Sequence, residues 1–61
     1  MEAQLLALLP ATGAVEFAQW VNDARAQGLR PDLWVRMKHS GVIRTFIDDA
    51  TGLLMVARGE A

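Results

Sequence analysis

The chain of 61 residues contains no cysteine. It therefore has neither a disulfide framework nor a zinc site built from thiolates. Because disulfides form and persist in oxidising compartments, a chain without cysteine fits the cytoplasm, which is the location we predict.

A long hydrophobic run is also missing. The longest strongly apolar stretch covers residues 5–9, which is too short to cross a bilayer. Glu2 and the absence of a basic N-terminal segment argue against a signal peptide. The sequence therefore predicts no membrane contact.

The residues that carry catalysis are sparse. The one histidine, His39, adjoins Ser40, but neighbours in sequence do not share a helix face and no third group is evident. Asp48 and Asp49 would point to opposite faces of a strand. No glycine-rich phosphate loop and no metal-ligand spacing occurs. We therefore predict no enzyme, no catalytic residue, no metal or other cofactor, and no small-molecule substrate.

Hydrophobic residues, in contrast, make up 52% of the chain. So short a chain forms one domain, residues 1–61, as a whole protein or as a piece excised from a larger one. It buries only about 60% of its unfolded surface. This apolar content exceeds what one small core can hide, which favours a homodimer or a complex with another partner.

The charges are segregated along the chain. Residues 25–44 hold five basic residues and one acidic residue, a net charge of +4, whereas the remainder has one basic and six acidic residues, a net charge of −5. The positive segment indicates an anionic partner, although scattered surface charge would give a similar count.

Two helices are predicted in the first half. Residues 2–9 carry four leucines and end at Pro10. Residues 14–27 place Phe17, Trp20 and Ala24 on one apolar arc. The aromatic residues of this arc are expected in the core.

Residues 31–40 allow two interpretations. Pro31 and Asp32 at the start and Gly41 after the end are typical of a helix. Leu33, Val35 and Met37 also alternate as in a strand. The capping signals at both ends favour the helix.

A β-hairpin is predicted at the C-terminal end, with strands over residues 42–48 and 53–58. Residues 49–52 form the turn, and Gly52 takes its left-handed position. Both faces of the hairpin carry apolar residues, so a monomer would expose Val56 and either Phe46 or Ile47. The exposed face therefore predicts cover from a second subunit, as in a homodimer, or from another partner.

Residues 24–37 have the spacing of a helix-turn-helix. Ala24 allows a close crossing, Gly28 ends the first helix, and Leu29 anchors the turn. Leu33, Trp34 and Met37 would seat the second helix and leave its other face free.

With the C-terminal hairpin, this order resembles the winged helix-turn-helix family of DNA-binding domains. The resemblance implies an α+β fold of short helices followed by a β-hairpin. It also implies binding of double-stranded DNA, in a small transcriptional regulator or a DNA-processing accessory protein. Two departures are noted: Asp48 and Asp49 lie beside the hairpin tip, and no short strand is expected between the first two helices.

The resemblance makes residues 31–40 the recognition helix. Arg36 would bind guanine edges, and Asp32 would either accept a hydrogen bond from cytosine or orient Arg36. His39 would contact phosphate. The remaining cations would meet phosphates: Arg25, Arg30, Lys38 and Arg44.

The alternative is a protein-interaction module. In it, residues 32–39 form a third strand, and two helices pack on a three-stranded antiparallel meander. The basic cluster would then be solvated surface, and the apolar hairpin would bind the partner.

Overall fold

The fold was obtained as a computed structural model that describes residues 2–59. In chain order the elements are helix α1 (Glu2–Ala7), strand β1 (Ala14–Glu16), helix α2 (Phe17–Ala26), a 3₁₀ turn (Pro31–Leu33), helix α3 (Trp34–Ser40), strand β2 (Ile43–Ile47) and strand β3 (Leu54–Arg58). The described part is a small α+β fold with three α-helices and one three-stranded antiparallel sheet. The predicted α+β class is confirmed.

The order of the sheet is β1-β3-β2, so β3 is the central strand. Val56 of β3 lies opposite Val15 on one side and Thr45 on the other. Its side chain also belongs to the hydrophobic core, so Val56 is 0% exposed, and the prediction that it faces solvent is wrong. Either Phe46 or Ile47 was also predicted to be exposed, and Ile47 is 58% exposed.

Strand β1 corrects a second expectation. The helical pattern predicted a helix from residue 14, but Ala14–Glu16 pairs with β3, and the helix begins at Phe17. The prediction that no strand lies between the first two helices is therefore wrong. The pairing partners are some forty residues away, so the local pattern could not reveal them.

The core lies between the helices and one face of the sheet. Trp20 is its largest fully buried side chain, and its Nε1–H donates a hydrogen bond of 3.0 Å to the carbonyl oxygen of Leu5. This bond satisfies the one polar group of a buried indole. The other buried members of the cluster come from each layer: Leu5, Leu9, Ala24, Met37, Ile43 and Val56.

The turn between α2 and α3 has the predicted geometry. Gly28 has a φ of 74°, its N–H donates to the carbonyl of Arg25, and the N–H of Leu29 donates to the carbonyl of Ala24 at 2.9 Å. These two bonds close the end of α2 as a Schellman motif. Ala24 is buried, as a close crossing requires.

Residues 31–40 are helical, not extended. A 3₁₀ turn begins at Pro31 and leads into α3, which ends at Ser40 and is capped by Gly41 with a φ of 85°. The alternative with a strand at residues 32–39 is therefore wrong as a fold. The sheet does have three strands, but its third strand is β1, and the order is not that of a meander. The capping residues therefore predicted the structure of this segment correctly, whereas the strand-like alternation of apolar residues did not. Met37, one of the alternating residues, is buried on one side of the helix.

Gly28→Ala is expected to lower stability by about 1–2 kcal/mol, because a Cβ in the left-handed region is strained. No atom lies within 4 Å of that Cβ, so the effect is conformational and not steric. In a domain of this size 1 kcal/mol lowers the melting temperature by roughly 4–8 °C. Thermal unfolding checks this, with the exposed neighbour Gln27→Ala as the control. Gly28→Asn should lose less, and equal melting temperatures for all three variants would contradict the prediction.

Candidate nucleic-acid interface

Helix α3 is held against the core by one face. Met37 is fully buried, and Leu33 and Trp34 pack beside it, partly exposed. The ring of Trp34 meets that of Phe17 edge-on, with centroids 5.1 Å apart. These contacts fix the rotation of α3 and so decide which residues face solvent.

The outward face of α3 is mixed in character. At about 100° per residue, Val35 and His39 lie nearly opposite Met37, with Arg36 on one flank and Lys38 on the other. All four are exposed, and Val35 is 49% exposed. The outward face of α3 therefore offers one apolar side chain among polar and charged ones.

An open cleft of about 550 Å³ lies between α2, the turn and α3. Arg25, Arg30 and Asp32 line it together. The apolar part of the wall comes from both helices and the turn: Phe17, Val21, Leu29, Pro31 and Trp34. Two cations and one carboxylate leave this cleft with net positive charge.

A neighbouring cleft of about 470 Å³ is lined by Trp34, Val35, Lys38 and His39. Trp34 lines both clefts, so they are adjacent. Arg36 lines neither but is exposed on the same helix. We call the two clefts and the outward residues of α3 the helix surface. It contains six of the seven predicted residues: Arg25, Arg30, Asp32, Arg36, Lys38 and His39.

Arg44 lies elsewhere. It alternates along β2 with the buried Ile43, so it occupies the face of the sheet that is turned away from the core. Its guanidinium carbon sits 5.0 Å from the centroid of the Phe46 ring. It also lines a cleft of about 260 Å³ with Arg58. The structure does not bring Arg44 to the helix surface.

Arg58 is a cation that sequence reasoning missed. Its Nε and a terminal nitrogen donate to the carbonyl oxygen of Leu9 at 3.3 and 3.2 Å. The bond ties the end of β3 to the segment after α1. No local signal could have found it, because the partners are 49 residues apart.

The hairpin tip is anionic but internally bonded. The carboxylate of Asp48 accepts from the N–H of Ala50 and from the hydroxyl of Thr51 at 3.3 and 3.0 Å. The carbonyl of Asp48 accepts from the N–H of Gly52, which has the predicted left-handed φ, 73°. Asp48 is therefore a turn residue, and the tip offers no cation to a phosphate.

Within residues 2–59, no three metal-binding side chains come together. The same range holds no helix with the length and apolar character needed to cross a membrane. Every buried side-chain polar atom in that range has a hydrogen-bond partner. No protein-family model, curated protein or solved structure was found to match this chain.

Proposed function

We propose that this chain is a winged helix-turn-helix-like domain that binds double-stranded DNA, in a small transcriptional regulator or a DNA-processing accessory protein. The observation that carries the proposal is the position of α3. It follows α2 after a tight Gly28 turn, packs through Met37, and presents cations on its free face. The order of elements supports it further, since β1 supplies the short strand that many members of this family have.

The outward face of α3 suits the major groove. Arg36 has the bidentate fork that pairs with guanine O6 and N7. Val35, exposed beside it, can contact the methyl group of thymine. His39 lies one turn further and can donate to phosphate. Asp32, before α3, can accept from cytosine or orient Arg36.

The phosphate contacts come from the flanks of the helix surface. Arg25 and Arg30 share the larger cleft, and Lys38 lines the smaller one. Arg44 is left out of the contact set because it lies on the outer face of the sheet. The hairpin tip stays outside the grooves, since Asp48 and Asp49 would repel phosphate.

Replacing two side chains of α3 tests the proposal. Arg36→Gln should weaken binding to a selected duplex by about 1–3 kcal/mol, roughly 5- to 150-fold, and flatten the sequence preference. Lys38→Gln should weaken binding to all duplexes equally, because a phosphate contact carries no sequence information. Fluorescence anisotropy against selected and random duplexes measures both effects.

Gln4→Glu is the matched control. It changes the net charge by the same amount at an exposed residue of α1, away from α3. It should bind like the parent chain. If Gln4→Glu weakens binding as much as Arg36→Gln, net charge alone drives association. If no duplex binds at low salt, the proposal fails.

A protein-interaction module is the second candidate, and one observation favours it. The far end of the hairpin exposes Ile47, Leu53 and Leu54. Apolar groups clustered in this way mark contact sites more often than scattered ones do. A folded chain that ignores duplex DNA at low salt would favour this candidate.

A further inference from the structure

The far end of the β-hairpin carries an apolar patch that the single chain leaves open to solvent. Ile47 and Leu54 lie opposite each other in the pairing of β2 with β3, and Leu53 adjoins Leu54. Ile47 is 58% exposed, Leu53 43% and Leu54 42%. A cluster of exposed large apolar side chains is typical of a contact surface.

This end of the hairpin is also anionic. Asp48 and Asp49 follow Ile47 in the chain, and residues 45–57 include no lysine, arginine or histidine. Asp49 is exposed, whereas Asp48 is bonded within the turn. A partner for this surface needs apolar side chains with cations beside them. We call the following set the hairpin end: Ile47, Asp48, Asp49, Leu53 and Leu54.

The larger cleft of the helix surface has this complementary character. Its apolar wall includes Phe17 and Trp34, whose rings meet edge-on. Arg25, Arg30 and Asp32 also line it, all three exposed, with a net charge of +1. Clefts that bury a small-molecule ligand have about 300–1,000 Å³. With its volume of about 550 Å³, this cleft has room for a few side chains of a hairpin.

The two surfaces lie at the same end of the sheet. Glu16 opposite Met55 is the last pair between β1 and β3. Phe17, which lines the cleft, follows Glu16, and Leu54 of the hairpin end precedes Met55. A two-fold axis beside these neighbouring surfaces therefore brings each surface of one chain towards the other surface of its partner.

We propose that two copies of this chain form a two-fold dimer in which the hairpin end of each copy occupies the larger cleft of the other. The apolar residues of the hairpin end cover the apolar wall of the cleft, and Asp49 faces Arg25 and Arg30 of the partner subunit. The contact occurs twice, because the two-fold axis repeats it.

A second copy is favoured over another partner because this chain carries both halves of the contact. In the single chain the hairpin end is exposed and the cleft is open. An unrelated acidic peptide would fill the cleft but leave the hairpin end in water. A second copy covers both surfaces with one type of contact.

The dimer and a DNA complex would compete for Arg25 and Arg30, a consequence that rests on the proposed function. Duplex DNA should then dissociate the dimer. The dimer itself does not depend on DNA binding, so its tests are made without DNA. A dimer that duplex DNA leaves intact would count against the DNA proposal and not against the dimer.

Charge reversal tests the contact by sedimentation. The parent chain should be a dimer at roughly tens of micromolar. Arg30→Glu and Asp49→Lys each place like charges across both contacts, so each should weaken the dimer roughly tenfold. Both residues are exposed, so neither change alters the core. Arg44→Glu makes the same reversal on the outer face of the sheet and should leave the dimer intact.

Mixing the variants identifies the two surfaces that meet. An equimolar mixture of Arg30→Glu and Asp49→Lys chains should dimerise like the parent, because each chain then meets an opposite charge at both contacts. Mixing Arg44→Glu with Asp49→Lys is the matched control. It has the same net charges, but one of its two contacts still joins like charges, so this mixture should dimerise more weakly.

A parent chain that stays at 6.7 kDa overturns the proposal. So does a dimer that Arg30→Glu and Asp49→Lys leave intact, or one that Arg44→Glu weakens as much as Arg30→Glu does, since the contact would then lie elsewhere. Equal association of the two mixtures would show that net charge alone joins the chains, which also overturns it.

Discussion

Trp20→Ala is expected to remove a large part of the free energy of unfolding of this domain. The side chain is 1% exposed and touches the core that α1, α2 and the sheet share. Replacing a buried large aromatic residue by alanine costs about 3–5 kcal/mol. At about 0.05–0.15 kcal/mol per residue, a domain of this length has only roughly 3–9 kcal/mol in total. Urea unfolding followed by circular dichroism measures the loss.

Trp20→Phe separates packing from hydrogen bonding. It keeps an aromatic ring but removes the indole N–H, so the carbonyl of Leu5 keeps only the hydrogen bond from Leu8 N–H at 3.2 Å. The net loss of one intramolecular hydrogen bond costs about 0.5–1.5 kcal/mol, so this variant should stay folded at reduced stability.

Trp34→Ala is the control for aromatic content. Trp34 is only partly buried, although it contacts Phe17, so its loss should cost less than that of Trp20. Greater destabilisation by Trp34→Ala than by Trp20→Ala would contradict this assignment of the core.

Local signals were enough to predict the hairpin and the turn before α3. Gly28, Pro31 and Gly41 each impose a conformation on their own backbone, and the structure has each where the sequence expected it. Strand β2 is one residue shorter at each end than predicted, and β3 is one residue shorter at its start. The turn between them lies where it was predicted. These features depend on residues a few positions apart.

Features that depend on distant pairing were missed. Ala14 and Phe17 continue the helical arc of α2, so nothing local marked Ala14–Glu16 as a strand. Without β1, β3 was expected at an edge, and Val56 was expected in solvent. A charge introduced at Val56 would therefore lie in the core.

The sequence predicted most residues of the candidate site, but it did not predict which of them share one surface. Arg25, Arg30 and Asp32 meet in one cleft, which the turn at Gly28 made foreseeable. Arg44 was grouped with them by its place in the positive segment. Its side of the sheet depends on whether Ile43 or Arg44 faces the core, and both hairpin faces carry apolar residues. The sequence pattern therefore left its orientation open.

If the helix surface binds DNA, affinity should fall steeply with salt. Three of its cations are assigned to the phosphate backbone: Arg25, Arg30 and Lys38. Each neutralised phosphate contributes about −0.9 to the slope of log affinity against log salt, which gives roughly −3 here. From 50 to 200 mM salt the affinity should then drop roughly 40-fold.

Anisotropy titrations across this salt range measure the slope. Lys38→Gln should make it shallower by about one, since one phosphate contact is removed. Arg44→Gln should leave the slope unchanged, because Arg44 lies on the outer face of the sheet over Phe46. A slope that changes equally in both variants would mean that the sheet also contacts the backbone. A parent chain whose binding is indifferent to salt would exclude a phosphate-based interface altogether.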